Sequence, residues 1–191
     1  GCMKQPVFEG LATAIVTPFR NGTIDIPTFE KLLDAQLAAN VDAIVICGTT
    51  GESATLSSSE QLTLIAHAMH YTAGRCKSRA ASSMGISAVL IVTPYYNKCT
   101  QSGLIAHYEA IADAISCPVI CYNVPSRTGL DLKLETCQAL AKHPNIQGVK
   151  EAGGSPAKIA KIIETCGDSF FVWSGNDDEA VTAMALGAKG L

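Results

Sequence analysis

Short apolar runs rich in β-branched residues alternate with helix-periodic stretches along the chain, and this alternation constrains the fold more than any other feature. Each predicted helix carries apolar residues on one face, as Leu32, Leu33 and Leu37 do in the first. The predicted strands cover 12–17, 43–47, 89–92, 119–121, 146–149 and 170–173. Three predicted helices cover about 27–40, 101–115 and 132–141, and three more begin near residues 57, 156 and 177. Such regular alternation is typical of parallel strands joined by right-handed crossovers, which makes this an α/β protein.

Two architectures fit this pattern, a closed barrel and a doubly wound sheet. The first predicted strand is not followed by G-x-G-x-x-G, and the sequence contains no P-loop, which weakens the nucleotide-binding alternative. Hydrophobic residues make up 48% of the chain and charged residues 16%, as in a compact globular protein. The net charge of -3 provides no basic field for nucleic acid, and no apolar run reaches the roughly 18–20 residues of a membrane span.

The cysteines and histidines form no recognisable metal-binding pattern. The eight cysteines include no C-x-x-C pair, and Cys47, Cys137 and Cys166 lie in apolar periodic segments, where we expect small core residues. His67 and His70 are three residues apart on one predicted helix without further ligands nearby in sequence, so we interpret them as helix-surface residues. We therefore predict no metal site and reduced thiols in a cytoplasmic protein.

Polar residues capable of catalysis follow the predicted strands. In a parallel barrel the carboxyl ends of all strands surround one mouth, where active sites lie. The residues that this arrangement would bring together are Thr49 and Thr50, Tyr95 and Tyr96, Tyr122 and Arg127, Lys150, and Gly175.

Lys150 is the most informative of these residues because it directly follows the predicted strand 146–149. A partly desolvated amine has a lowered pKa and becomes the nucleophile that a Schiff base requires. A lysine whose ammonium simply lies in solvent at a strand end is the alternative. Tyr96, Tyr122 and a threonine hydroxyl could form a proton relay, or the tyrosines could cap the core. Arg127 could grip a carboxylate bidentately, or form a surface ion pair.

Five segments taken together carry a family resemblance. They are Gly-Thr-Thr-Gly-Glu at 48–52, Thr-Pro-Tyr-Tyr-Asn at 93–97, Tyr-Asn-Val-Pro-Ser-Arg-Thr-Gly at 122–129, Val-Lys-Glu-Ala at 149–152 and Ser-Gly-Asn-Asp at 174–177. In this order they resemble the dihydrodipicolinate synthase / N-acetylneuraminate lyase family of barrel aldolases. The resemblance runs from about residue 7 to residue 190, with an interruption near 75–88.

The resemblance implies a (β/α)8 TIM barrel that assembles as a homo-oligomer, a tetramer or a dimer. It implies that Lys150 condenses with the keto group of pyruvate and that Tyr122 is the general acid/base. Thr49 and Tyr96 would complete the proton relay. Thr50 would bind the carboxylate of pyruvate, and Gly175 would line the pyruvate pocket. No cofactor is implied, because the lysine imine is itself the electron sink.

Arg127 directs the resemblance toward the synthase-type members, in which an arginine of the Pro-Ser-Arg-Thr-Gly segment grips the second substrate. These members join pyruvate to L-aspartate 4-semialdehyde, giving 4-hydroxy-tetrahydrodipicolinate for lysine and diaminopimelate biosynthesis. One alternative is another pyruvate-dependent aldolase, such as an N-acetylneuraminate lyase or a 2-keto-3-deoxy sugar acid aldolase. The other is an inactive, truncated paralogue that acts as a binding subunit.

The sequence departs from the family pattern in three places. We expect residues 1–191 to form a single (β/α)8 barrel domain that lacks the third β/α unit, the eighth strand and the carboxyl-terminal helical extension. A barrel without two strands would have unpaired edges and an open core. The hypothesis is therefore that these residues are joined parts of a longer protein, and an intact mass near 20.0 kDa for the purified protein would contradict it.

Overall fold

A computed structural model describes residues 3–73, 87–95 and 99–191. The chain divides into two compact units. One contains the described residues from 10 to 73, and the other contains residues 3–9 together with those from 87 onward. The predicted departure near residue 79 lies outside the described residues.

The unit of residues 10–73 has two parallel strands, a small hairpin and two helices. Its elements are β1 (Ala12–Ala14), β2 (Phe19–Arg20), β3 (Thr23–Ile24), α1 (Ile26–Ala38), β4 (Ala43–Val45) and α2 (Ser58–Thr72), and β1 pairs with β4 in parallel. Phe29 and Leu33 of α1 pack with Leu64 and Ala68 of α2 in the core. The strands predicted at 12–17 and 43–47 are real but end earlier, at Ala14 and Val45.

Local side-chain chemistry sets the start of α2, as the sequence predicted. Ser57 accepts a hydrogen bond from the Glu60 backbone N–H, and the Glu60 carboxylate accepts one from the Ser57 backbone N–H. This reciprocal capping box satisfies backbone donors that a helix start leaves unpaired. The β2–β3 hairpin was not predicted. Its turn residues Asn21 and Gly22 both have positive φ, as a two-residue hairpin turn requires.

The larger unit is a four-stranded parallel sheet in the order β5-β6-β7-β8. Its strands are β5 (Val89–Val92), β6 (Val119–Asn123), β7 (Ile146–Glu151) and β8 (Phe171–Ser174). Its helices are α3 (Gln101–Ala114), α4 (Pro125–Thr128), α5 (Leu134–Leu140), α6 (Pro156–Cys166) and α7 (Ala180–Ala185). The parallel strands and the alternation with helices confirm the prediction for this part of the chain. Gly190 forms a parallel bridge to Trp173 of β8.

The two faces of this sheet bury different clusters. One face packs against the helices and includes Cys121, Val149 and Val172, which are partners across β6, β7 and β8. The opposite face, here called the inner face, carries Ile120, Phe171 and Trp173. Because side chains alternate along a strand, the residues one position further on change sides.

A register shift in β7 determines which residues reach the inner face. Val119 pairs with Ile146, but Ile120 pairs with Gly148, so Gln147 is an extra residue in β7. Ile146 and Val149 consequently lie on the same, helix-covered face although they are three residues apart. Gly148 and Lys150 then belong to the inner face.

Residues 3–9 cover one part of the larger unit. Phe8 stacks on Trp173 with ring centroids 5.5 Å apart, and the Trp173 indole N–H donates to the Phe8 carbonyl at 3.3 Å. Lys4 Nζ donates to four backbone carbonyls at distances of 2.7 to 2.9 Å. These carbonyls belong to Ala141, His143, Ile146 and Ser169. The Lys4 ammonium therefore ties together the segment after α5, the start of β7 and the segment before β8.

Candidate active site

Lys150 and Tyr122 are neighbours on adjacent parallel strands. Tyr122 of β6 pairs in register with Lys150 of β7, which in turn pairs with Trp173 of β8. The three side chains form a row on the inner face, and Lys150 Nζ lies 4.8 Å from the centroid of the Tyr122 ring. The sequence placed Lys150 after a strand that ends at residue 149. This boundary is wrong, because β7 continues through Glu151 and holds Lys150 within the sheet.

The surroundings of Lys150 favour its neutral form. Burial lowers the pKa of the Lys150 amine, and the nearby negative charge of Asp177 opposes this effect more weakly. A lowered pKa increases the neutral fraction, which is the nucleophilic form of the amine. The face of an electron-rich phenol ring also suits the cationic form that remains.

Gly148 allows β7 and β8 to approach each other closely beside Lys150. A Cβ atom at Gly148, two residues before Lys150, would lie 1.9 Å from the Phe171 carbonyl oxygen. Only glycine therefore allows β7 and β8 to approach as they do at this level. The close approach brings Lys150 and Trp173 into the same row.

Gly175 directly follows β8 and lies beside the end of β7. Its N–H donates to the Glu151 carbonyl at 2.8 Å, and a Cβ atom there would lie 2.7 Å from the Ala152 Cβ. The position is therefore crowded and needs a residue without a side chain. This is compatible with the predicted role of Gly175 in lining a small-substrate pocket, which stays a prediction.

Arg127 lies on the short helix α4, which follows directly after β6 and Val124. Its side chain is exposed, and its backbone N–H donates to the Val124 carbonyl at 2.9 Å. Gly129 ends this helix with a φ of 68°. The exposed Arg127 side chain thus belongs to the segment that follows β6, and its role as a carboxylate-binding residue stays a prediction.

Thr49 and Thr50 belong to the unit of residues 10–73 and are both exposed. They lie in a turn between Cys47 and Glu52, both of which have positive φ. The buried Thr17 hydroxyl holds this turn by donating to the Gly51 carbonyl at 2.7 Å. Their predicted roles stay predictions. Tyr96, the fourth predicted catalytic residue, lies outside the described residues.

A row of buried polar side chains lies on the face of the sheet opposite to Tyr122 and Lys150, and the sequence analysis did not identify it. Asn123 and Glu151 are paired in register and are 0% and 1% exposed. Asn123 Nδ2 donates to both carboxylate oxygens of Glu151, at 2.9 and 3.0 Å. Their positions in the sequence could have revealed this row. Each residue directly follows Tyr122 or Lys150, and side chains alternate along a strand, so each lies on the opposite face of the sheet.

The cysteines and histidines that the structure describes differ in burial, and Cys47 and His67 are only partly buried. Cys137 is fully buried, and burial raises the pKa of its thiol to about 12. Cys166 is also buried, and Cys47 packs against the core of its unit. His67 lies on α2 with its Nε2 2.9 Å from Glu30. Within the described ranges, no group of three or more potential metal ligands occurs, and no helix is long and apolar enough to cross a membrane.

Comparison with known proteins places this arrangement in a family. The family model described as "Dihydrodipicolinate synthetase family" matches residues 7–191. The chain belongs to this family. A 4-hydroxy-tetrahydrodipicolinate synthase from Exiguobacterium sibiricum is 44% identical over 202 residues, and one from Trichlorobacter lovleyi is 45% identical over 201 residues. Each match covers 97% of this chain and 69% of the relative.

Solved structures agree with this membership. The chloride-inhibited dihydrodipicolinate synthase from Acinetobacter baumannii, complexed with pyruvate, is 38% identical with a TM-score of 0.90. That match covers 96% of this chain and 69% of the solved chain. The likeness shows a TIM-barrel-like α/β fold, of which the described residues form a part. It also decides between the two architectures that the sequence left open, in favour of the barrel.

Proposed function

We propose that this protein is a 4-hydroxy-tetrahydrodipicolinate synthase, which condenses pyruvate with L-aspartate 4-semialdehyde. The observation that carries the proposal is the Lys150 amine over the Tyr122 ring on adjacent strands, within a chain 44% and 45% identical to synthases of that name. Burial that lowers the Lys150 pKa supports the amine as nucleophile.

In the first step Lys150 Nζ attacks the C2 carbonyl carbon of pyruvate. The carbinolamine loses water, whose departure needs one proton, and leaves a protonated imine on Lys150. Tyr122 is the phenol beside Nζ on the neighbouring strand, and its hydroxyl donates this proton. The Tyr122 phenolate that remains then removes a C3 proton from the imine, which gives the enamine and restores the phenol.

In the second step the enamine C3 attacks the aldehyde carbon of L-aspartate 4-semialdehyde, and the aldehyde oxygen takes up a proton from the Tyr122 hydroxyl. The amino group of the second substrate then attacks the imine carbon and displaces Lys150 Nζ, which closes the ring and frees the enzyme. Arg127 grips the carboxylate of the second substrate, since a guanidinium fork matches a carboxylate bidentately. The lysine imine supplies the electron sink, so the reaction uses no cofactor.

The remaining site assignments belong to the same proposal. Thr49 and Tyr96 pass protons between Tyr122 and the substrates, and Thr50 holds the pyruvate carboxylate. Gly175 lines the pyruvate pocket. These are roles that the family resemblance implies and that substitution of each residue would test.

We further propose that residues 1–191 are parts of a single (β/α)8 barrel domain. The longer protein would include a third β/α unit, an eighth strand and a helical carboxyl-terminal extension. The match of 202 residues supports this, because it exceeds the 191 residues of the chain, so the relative has residues inside the matched stretch that this chain lacks. A cytoplasmic homo-oligomer, tetramer or dimer, completes the proposal.

Borohydride trapping with pyruvate tests the chemistry directly. Incubation of the full chain with pyruvate and then borohydride reduces the imine to a stable adduct, which we expect on the peptide that contains Lys150. The Lys150→Ala variant is the matched control and should carry none. Product formation with aspartate semialdehyde, and not with N-acetylneuraminate or 2-keto-3-deoxy sugar acids, then identifies the second substrate. A folded protein that gives no adduct would refute the proposal and leave the inactive binding subunit.

A further inference from the structure

The ends of the four parallel strands carry a second row of side chains, one residue beyond the row of Tyr122 and Lys150. Its members are Thr93, Asn123, Glu151 and Ser174, which are at most 2% exposed. Asn123 pairs in register with Glu151, and Glu151 with Ser174. Thr93 continues the row beside Asn123, because its N–H donates to the Tyr122 carbonyl at 3.1 Å. This polar row lies on the helix-covered face, opposite to the substrate side.

Two members of the polar row join the strands that carry the reacting pair. Asn123 is the residue after Tyr122, and Glu151 is the residue after Lys150. Their side chains bridge β6 and β7 through the two hydrogen bonds from Asn123 Nδ2 to the Glu151 carboxylate. The backbone reinforces this junction, since the Ala152 N–H donates to the Asn123 carbonyl at 2.8 Å.

Neither side chain is free to turn away from this bridge. Asn123 Oδ1 accepts from the Leu132 N–H at 3.0 Å, so its amide orientation is fixed. Glu151 Oε1 also accepts from the Gly153 N–H at 2.9 Å, and Lys158 Nζ lies 3.4 Å from Oε2. Burial raises the pKa of the Glu151 carboxyl, while Lys158 and the hydrogen bonds oppose that effect. Asn123, Gly153 and Lys158 thus all present donors to Glu151, which suits an acceptor-only carboxylate.

We propose that Asn123 and Glu151 are positioning residues, which hold Tyr122 and Lys150 at the separation that imine formation requires. The proposal rests on the Schiff-base function proposed above. The Asn123–Glu151 bridge holds β6 and β7 together on the helix-covered face. Tyr122 and Lys150 are the preceding residues of the same strands, so the bridge fixes their spacing on the inner face. A misplacement of about 1 Å at a reacting centre can cost about 100-fold in rate, so such a bridge has a kinetic consequence.

The chain offers a pair of nearly isosteric substitutions that break and then restore the bridge. In Asn123→Asp two buried carboxylates face each other, and in Glu151→Gln two amide groups cannot both find acceptors. In the double variant the amide introduced at position 151 donates to the carboxylate introduced at position 123, while its carbonyl still accepts from the Gly153 N–H. The bridge therefore returns with reversed polarity. Asn123 Nδ2 also donates to Asp131 at 2.8 Å, and in the double variant two carboxylates face each other there, so we expect recovery to be incomplete.

Thr93→Val is the matched control within the same row. The Thr93 hydroxyl is buried and makes no hydrogen bond to any described residue. Valine has nearly the same shape, so the substitution removes a buried polar group without touching the Asn123–Glu151 bridge. We expect it to leave the rate constant of imine formation within about twofold of the original value.

The experiment is borohydride trapping of the pyruvate imine in each full-length variant at a series of quench times, which separates rate constant from amplitude. We expect each single variant to lower the rate constant at least about tenfold, and the double variant to recover most of that loss. A residue that only stabilises the fold would instead lower the amplitude, which reports the folded fraction, and the urea midpoint. Unchanged rate constants in both single variants, or a double variant slower than either, would overturn the positioning role alone. An original protein that traps no pyruvate would overturn the proposed function and the positioning role with it.

Discussion

Gly148→Ala is the substitution for which the structure gives the most definite physical cost. Gly148 lies in β7, and a Cβ atom there would lie 1.9 Å from the Phe171 carbonyl oxygen and 2.7 Å from the carbonyl carbon. Ordinary contact begins at 3.4 Å, so β7 and β8 would have to separate by about 1.5 Å at this level. Hydrogen bonds between strands do not survive such a displacement, because their N···O distances fall within about 2.7–3.2 Å.

The expected loss of stability follows from these two effects. Overpacking against an interior that cannot yield costs about 1–3 kcal/mol, and each broken backbone hydrogen bond adds about 0.5–1.5 kcal/mol. With one or two bonds broken, these contributions sum to a fall of about 1.5–6 kcal/mol in the free energy of unfolding. Urea denaturation followed by tryptophan fluorescence measures this loss, because Trp173 is the only tryptophan and is 2% exposed beside the altered position.

Gly129→Ala is the appropriate control for this measurement. Gly129 has a φ of 68° and a ψ of 11°, in the left-handed helical region, and a Cβ atom there would meet nothing within 4 Å. Its replacement therefore costs only the left-handed backbone strain, about 1–2 kcal/mol. A Gly148→Ala loss no larger than the Gly129→Ala loss would refute the steric reasoning and show that β8 moves aside without cost.

Three further perturbations probe other parts of the molecule. Lys4→Met removes the hydrogen-bond donor of four backbone carbonyls and should lower the free energy of unfolding by about 3 kcal/mol in urea denaturation. The control Lys161→Met removes only an exposed ion pair and should change this free energy by less than about 0.5 kcal/mol. Burial lowers the Lys150 pKa and the neutral amine is the nucleophile, so the rate of pyruvate trapping should rise with pH and level off below pH 10.5. Asp177 raises the Lys150 pKa, so Asp177→Asn should move this rise to lower pH. An unmoved pH profile would contradict the electrostatic role of Asp177. Arg127→Ala should lower kcat/KM for aspartate semialdehyde at least about tenfold in steady-state assays and leave the pyruvate trapping rate unchanged; an equal loss in both would place Arg127 on the pyruvate side instead.

Features that depend on neighbouring residues in sequence were predictable. The capping box of Ser57 and Glu60 and the cap of α6 by Ser155 form within three residues of chain, so their patterns are visible in the sequence. The β2–β3 hairpin has strands of two residues each, which are too short to show a periodic pattern in the sequence.

Features that depend on distant partners were not predictable. Asn123 and Glu151 are polar residues, so the sequence suggested that they lie beyond the strands, whereas each is buried because the other satisfies it from 28 residues away. Strict alternation from Ile146 would place it on the same face as Lys150, and the extra residue Gln147 reverses that assignment. The importance of Lys150 came from the family resemblance, since chemistry alone left a solvent-exposed lysine open.

The attachment of residues 3–9 has a consequence for the order in which the chain folds. Lys4 bonds to carbonyls that are 137 to 165 residues away in sequence, and the Trp173 indole bonds to Phe8 across 165 residues. A contact with Ser169 cannot form on the ribosome before that residue has been synthesised, so residues 3–9 dock only after most of this unit has been made. Closing such a long loop is entropically costly before its contacts form, which delays completion of this unit and prolongs exposure of the sheet to aggregation.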